Sequence, residues 1–158
     1  MPDTTTVGSS RSLRRCELFE PLSDAQIEQL AACSRRRVVV AGETLLSQDA
    51  EASELFVVEH GALAIKLAVS GGRVVSSAEA GPGQLVGWSA LAAPHAYFAE
   101  VVALTDADVL ALSAPDVEEV LLSEPAAGYE LMKRIAGHIS MRLRDLKEQL
   151  VESLTIEA

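Results

Sequence analysis

The segment GPGQLVGWSALAAPHAYFAEVVAL, residues 81–104, holds the polar side chains whose types and spacing best suit ligand binding. Its glycines punctuate a loop that leads into a short helix, a second loop and a strand. Backbone amides at the start of a helix suit an anion, yet the segment contains no arginine or lysine. Its neutral donors are the Ser89 and Tyr97 hydroxyls, the Trp88 indole, the His95 ring and the backbone amides near Ser89 and Ala90. The segment therefore predicts a binding loop that lacks a cation of its own.

Ser89 and His95 are also the pair of residues that most resembles a serine nucleophile with its histidine base. A serine nucleophile needs a base, an acid that orients the base and an oxyanion site, and the sequence places neither the acid nor the oxyanion site. The other histidines, His60 and His138, are far away, and the two cysteines form neither a disulfide framework nor a metal-ligand set. We therefore expect a protein that is not an enzyme and holds no metal.

The acidic balance of the chain limits its partners. The 158 residues carry a formal net charge of -10, which argues against a protein that neutralises nucleic-acid phosphates. No basic start precedes an apolar run, and no apolar run is long enough to span a membrane. We expect a cytoplasmic protein that binds neither nucleic acid nor a membrane. Residues 1–9 are predicted as a disordered polar lead-in, and residues 10–158 as a single domain.

Short segments rich in Val and Leu, separated by turn residues, occupy the middle of the chain. They are residues 37–40, 44–48, 54–60, 62–68, 73–80, 84–87, 99–104 and 108–113. A Gly-Gly pair between the fourth and fifth segments indicates a hairpin. Eight short strands at this spacing predict an antiparallel jelly roll, or double-stranded β-helix, over about residues 37–113. The fold class is therefore mainly β with flanking helices.

Helical patterns flank these strands. Before them, SDAQIEQLAAC begins at Ser23 with a capping box, because Gln26 follows three residues later. After them, Ser113 and Pro125 suit the starts of two helices over about residues 114–155. The second and longer helix carries an apolar stripe at spacings of three and four residues, formed by Met132, Ile135, Ile139, Leu143, Leu146, Leu150 and Leu154.

The stripe is too long for one small barrel to cover. Its N-terminal half is expected to pack on the strands, whereas its C-terminal half, from about Leu143, needs a partner. The preferred interpretation is a parallel homodimer seam formed by Ile139, Leu143, Leu146, Leu150 and Leu154. A stripe folded back on its own domain is the alternative.

Four fragments in this order resemble the cyclic nucleotide-binding domain family, which includes catabolite activator proteins, kinase regulatory subunits and cyclic-nucleotide-gated channels. They are CELFEPLSDAQIEQLAACSRRRVVVAGETLLSQ, LFVVEHGALAI, AGPGQLVGWSAL and VLALSAPDVEEVLLSEPAAGYELMKRIAGHISMRL. The resemblance covers residues 16 to about 152. It implies a jelly roll with a phosphate-binding cassette between the sixth and seventh strands, followed by a long dimerisation helix.

In this family the cassette holds a cyclic phosphate through backbone amides and an arginine, and a glutamate takes the ribose hydroxyl. Here Trp88 stands at the position of the glutamate and Tyr97 at that of the arginine. The positions that meet the base map to Leu146 and Lys147. Carried over residue by residue, the implied ligand-binding set is Gly87, Trp88, Ser89, Ala90, Leu91, His95, Tyr97, Phe98, Ala99, Glu100, Leu146 and Lys147.

The altered cassette leaves two functions open. In the first, the chain is a non-catalytic ligand-sensing regulatory module that acts as a dimer on an unknown protein partner. No ligand is certain; the candidates are cyclic AMP, cyclic GMP or another nucleotide-like compound, with Trp88 stacking on it. In the second, Trp88 fills the cassette and the domain is a constitutive dimeric adaptor or subunit of a larger complex. A plain surface role for Trp88 is the third alternative. Direct DNA binding is not expected, because no helix-turn-helix follows the long helix.

Overall fold

The fold is described from a computed structural model that covers residues 4–69 and 71–157. Side chains are described for residues 8–69, 71–74 and 78–155. Within this part of the chain, the helices are α1 (Thr4–Arg14), α2 (Asp24–Cys33), α3 (Ala114–Ser123) and α4 (Pro125–Glu157), with 3-10 helices at Glu17–Phe19 and Trp88–Leu91. The strands are β1 (Arg35–Val39), β2 (Thr44–Leu46), β3 (Glu54–His60), β4 (Leu63–Val69), β5 (Arg73–Ala80), β6 (Leu85–Val86), β7 (Glu100–Ala103) and β8 (Ala107–Ser113).

The strands form two antiparallel four-stranded sheets that share one core. One sheet has the order β1-β8-β3-β6 and the other β2-β7-β4-β5. Val57 of β3, Leu63 of β4 and Leu110 of β8 are fully buried in the core. The predicted jelly roll is confirmed, and each of the eight predicted segments agrees with a strand to within two residues at either end. The agreement is close because turn glycines with positive φ, such as Gly42 and Gly61, separate the strands.

The N-terminal helices pack on each other, with α1 also against β3 and α2 against α3. At the start of α2, the Ser23 hydroxyl accepts a hydrogen bond from the Gln26 amide at 3.2 Å, and the Gln26 side chain accepts one from the Ser23 amide at 3.1 Å. This is the predicted capping box. The Gln26 side chain is buried and also donates to the Val120 carbonyl at 2.9 Å, so the cap of α2 is joined to α3.

Residues 4–9 lie in α1, whereas the sequence predicted a disordered lead-in over residues 1–9; Met1–Asp3 lie outside the described residues. Long-range contacts explain the helix. Leu13 is fully buried, and the Ser12 hydroxyl donates to the Glu59 carboxylate at 2.6 Å. Arg36 donates to the same buried carboxylate through Nε and Nη2 at 2.9 and 3.2 Å. Tertiary packing therefore stabilises a segment whose polar composition gives little helical signal.

The last helix, α4, is 33 residues long and begins at Pro125, as predicted. Leu131, Ile135 and Leu146 of α4 are buried against the domain. The apolar residues that lie beside this face are exposed: Leu143 by 60%, Leu150 by 46% and Leu154 by 67%. The predicted stripe is thus divided between a face that packs on the barrel and a neighbouring face open to solvent. Among the described helices, none combines the length and apolar character needed to cross a bilayer.

Candidate ligand-binding cavity

A short 3-10 helix, Trp88–Leu91, lies directly after β6 and will be called the cassette helix. Gly87 precedes it with φ of 85°, in the left-handed region that favours glycine. A Cβ atom at Gly87 would lie 2.9 Å from the Glu54 carbonyl oxygen of β3. Glycine therefore serves two purposes here: it allows the turn, and it lets the cassette helix pack closely on the sheet.

A cavity of about 280 Å³ lies between the cassette helix, the strands and α4. This volume is near the lower end of the range for small-molecule sites. Its lining is almost entirely apolar and consists of Leu46, Ile65, Leu85, Val86, Gly87, Trp88, Ser89, Tyr97, Phe98, Ala99, Val101, Ile139, Arg142, Leu143 and Leu146. The structure thus brings together seven residues of the predicted ligand set: Gly87, Trp88, Ser89, Tyr97, Phe98, Ala99 and Leu146.

Trp88 forms part of the wall of this cavity. Its half-buried indole packs against the core and stacks on the Phe98 ring, with centroids 6.5 Å apart and an interplanar angle of 28°. The indole therefore leaves the cavity open rather than filling it. The neighbouring Ser89 hydroxyl also lines the cavity, and within the described residues it makes no hydrogen bond. The cassette helix thus offers a flat ring and one free hydroxyl.

The Tyr97 hydroxyl is occupied by the protein itself. It donates to the Glu54 carbonyl at 2.8 Å and accepts from the Glu54 amide at 3.3 Å. Burial raises the pKa of the phenol above its usual value. The ring lines the cavity, whereas the hydroxyl holds the edge of β3, so Tyr97 stands where the family has its arginine but offers no free donor.

The remaining predicted ligand residues lie elsewhere. The Ala90 amide, counted as a donor from the sequence, donates to the Gly87 carbonyl at 3.1 Å. The exposed His95 ring lies with Nδ1 3.1 Å from the Ala90 carbonyl oxygen. Leu91 packs on the core, and Lys147 is exposed on α4 outside the cavity.

Glu100 of β7 also faces away from the cavity. Its neighbour Val101 lines the cavity, and adjacent residues of a strand point to opposite faces of the sheet. The Glu100 carboxylate accepts a hydrogen bond from the Thr44 hydroxyl at 3.3 Å. The cavity is therefore free of the repulsion that an inward-facing Glu100 would exert on an anion.

Arg142 of α4 supplies the cation that the cassette lacks, and it was missed from the sequence. It is half-buried and lines the cavity. Leu146, which was predicted to contact a ligand, lies four residues later, and residues four apart share one face of a helix. The four-residue spacing from Leu146 was therefore the sequence signal that could have identified Arg142 as a cavity residue. The choice of Lys147 instead placed the cation about 140° away from Arg142 around the helix.

Burial is the main influence on the electrostatics around Arg142. It lowers the pKa of the guanidinium, while the nearby charge of Asp145 partly opposes that shift. Burial also lowers the pKa of His138, and the charge of Arg142 lowers it further. Both effects favour the neutral form of His138, so Arg142 provides the positive charge at this end of the cavity.

One protein family and several solved structures match the chain. The sequence pattern of the cyclic nucleotide-binding domain matches residues 36–124, and no curated protein sequence matches the chain. The N-terminal domain of a transcriptional regulator from Streptomyces coelicolor A3(2) is 29% identical, with a TM-score of 0.68; the match covers 88% of this chain and 94% of that one.

Two further solved structures show the same fold. The catabolite activator protein from Thermus thermophilus is 25% identical with a TM-score of 0.72, and the match covers 85% of this chain and 62% of that one. This chain thus spans only part of the length of that activator. The sensor domain of the transcriptional regulator DNR from Pseudomonas aeruginosa is 17% identical with a TM-score of 0.76, and coverage is 88% and 93%.

Proposed function

Because the chain belongs to the cyclic nucleotide-binding domain family, we propose that it is a non-catalytic regulatory module that senses a small ligand in the cavity beneath α4. The ligand differs from cyclic AMP and cyclic GMP, and the module acts as a dimer on a partner protein. The observation that carries this proposal is the open, apolar cavity, in which the cassette provides neither a carboxylate nor a cation.

Free-energy arguments disfavour a cyclic nucleotide. A hydrogen bond to a charged group contributes about 1.5 to 3 kcal/mol, and both of the family's charged anchors are replaced here, by Trp88 and Tyr97. Loss of the two weakens binding by about two to four orders of magnitude. The apolar lining adds to this cost, because it would leave the ribose and phosphate oxygens without partners.

The position of α4 supports a role in signalling. Ile139, Leu143 and Leu146 line the cavity and also belong to the predicted dimer seam. A ligand that contacts these side chains changes the free energy of the same helix face that would pair with a second copy. Ligand binding and dimerisation are then coupled, and by linkage each changes the equilibrium constant of the other.

The kinship with regulatory proteins supports the same conclusion. The Streptomyces coelicolor domain, 29% identical to this chain, belongs to a transcriptional regulator. By analogy, this module changes its dimer surface when the ligand binds, and a partner protein binds the changed surface with a different affinity.

Calorimetric titration of the purified chain tests the proposal. Naphthalene-2-carboxamide, a neutral apolar probe of suitable size, should bind, whereas cyclic AMP and cyclic GMP should bind at least a hundredfold more weakly than is usual for the family. Trp88, the single tryptophan of the chain, gives an independent fluorescence readout at the cavity wall. Sedimentation of the dimer with and without the probe measures the coupling.

A pair of serine variants shows where the probe binds. Ser89→Trp places a large ring in the cavity and should abolish binding, whereas Ser47→Trp adds the same ring at an exposed site outside the cavity and should leave binding intact. Tight binding of cyclic AMP, or no response to any apolar probe, would contradict the proposal.

A further inference from the structure

Arg142 is a charged group without an obvious structural purpose. Its half-buried side chain lies between the apolar cavity and a neighbouring, more polar one that Glu17, Glu79 and His138 also line, and in the described residues no carboxylate lies within ion-pair distance of it. Desolvation of a guanidinium is costly unless it is paired. Arg36, by contrast, makes an ion pair with the buried carboxylate of Glu59. The partly buried and unpaired guanidinium of Arg142 is therefore open to a partner from outside the chain.

The cavity around Arg142 has a simple chemical character. Within the described residues its lining contains one cation and no carboxylate. The other polar side-chain groups of the lining are the Ser89 hydroxyl, the Trp88 indole and the Tyr97 hydroxyl, which is bonded to Glu54. The Trp88 and Phe98 rings form an aromatic wall. Such a site matches a ligand with one anionic group and an otherwise apolar, flat body.

We propose that Arg142 is the anchoring residue of the ligand site and that the ligand is a small aromatic monocarboxylate. The guanidinium takes the carboxylate through paired hydrogen bonds, and the aromatic body fills the apolar space beside Trp88. This inference rests on the proposed function and names its ligand class. A nucleotide fits less well, since its sugar and base would bring several polar atoms against apolar walls.

Two probes of equal shape test the anchoring role. Calorimetry on the full chain compares naphthalene-2-carboxylate with naphthalene-2-carboxamide, which differ in charge. The carboxylate should bind about 10- to 100-fold more tightly, as expected for a charge-assisted, paired contact. In Arg142→Gln this preference should fall to within about threefold, because the carboxylate loses more affinity than the carboxamide.

Arg144→Gln is the matched control, because Arg144 lies on the same helix but is exposed and outside the cavity; it should keep the full preference. If Arg142→Gln fails to fold, Arg142→Met replaces it, since an unbranched apolar side chain suits the lining. In that variant the preference should also disappear.

The possible failures are distinguishable. If both probes bind equally to the unaltered chain, the anchoring role is wrong and the proposed sensing function stands. If neither probe binds, the sensing function fails and the anchoring role with it. A preference that survives in both Arg142 variants would assign the charge to another group. Cyclic AMP that binds more tightly than the carboxylate, and depends on Arg142, would overturn the ligand class.

Discussion

Removal of the Tyr97 hydroxyl separates a structural role from a ligand-binding role. In the structure the hydroxyl bonds both the carbonyl and the amide of Glu54, and the side chain is 7% exposed. Tyr97→Phe keeps the ring and leaves these backbone groups without their partner. We expect a loss of about 1 to 2 kcal/mol in the free energy of unfolding. For a chain of this size, this lowers Tm by about 2 to 8 °C.

Urea unfolding followed by circular dichroism measures this loss, and Tyr129→Phe is the matched control. Tyr129 is 67% exposed and its hydroxyl makes no hydrogen bond within the described residues, so its removal should change stability by less than about 0.5 kcal/mol. The pH adds a second test. The folded pKa of Tyr97 is raised, so its contribution is complete below the unfolded value of about 10 and declines as the pH rises through the folded value.

Ligand binding completes the test. Because the hydroxyl points at β3, Tyr97→Phe should bind the naphthalene probes to within about twofold of the unaltered chain. The reasoning is refuted if Tyr97→Phe is as stable as Tyr129→Phe yet loses probe affinity, since the hydroxyl would then serve the ligand and not the backbone.

Three further predictions concern other parts of the chain. Glu59→Gln should destabilise the fold at pH 7. Burial opposes ionisation of Glu59, but the donors around it outweigh this effect and lower its pKa, so the destabilisation in urea unfolding should shrink as the pH falls below the unfolded value and through the lowered one. Leu150→Glu should weaken the dimer at least tenfold in sedimentation equilibrium, whereas Val151→Glu, exposed but off the predicted seam, should not. Gly87→Ala should cost about 1 to 3 kcal/mol in urea unfolding and more than Gly42→Ala, because both have positive φ but nothing lies within 4 Å of the Gly42 position.

The strands and the caps could be predicted from the sequence because their signals are local. A turn glycine, a Ser-x-x-Gln pattern or a run of Val and Leu favours one local backbone structure. It does so through residues only a few positions apart, so the rest of the fold need not be known. The glycine before the cassette helix belongs to this class, since its positive φ is a property of one turn.

The ligand site was harder to predict because it depends on how distant elements pack. Tyr97 was expected to offer a free donor, and only the approach of β3 shows that Glu54 takes it. Arg142 enters the cavity because α4 crosses the barrel at one particular rotation, and a sequence stripe does not fix that rotation to better than one or two residues. Helix α1 was not predicted for the same reason, because the Glu59 and Arg36 side chains that hold it lie far from it in the sequence.

Helix α4 contributes residues both to the cavity and to the predicted dimer seam, so it is the element that would connect ligand binding with dimerisation. Arg142 and Leu146 lie on the face toward the cavity, whereas Leu150 and Leu154 lie on the exposed stripe. Leu143 belongs to both, since it lines the cavity and is 60% exposed. In the proposed mechanism, a carboxylate held by Arg142 and an aromatic body against Leu143 and Leu146 favour one position of α4 over others. Leu150 and Leu154 belong to the same helix, so a shift of α4 would displace the predicted dimer seam as well, and this is how the proposed module would link a ligand carboxylate to dimer geometry.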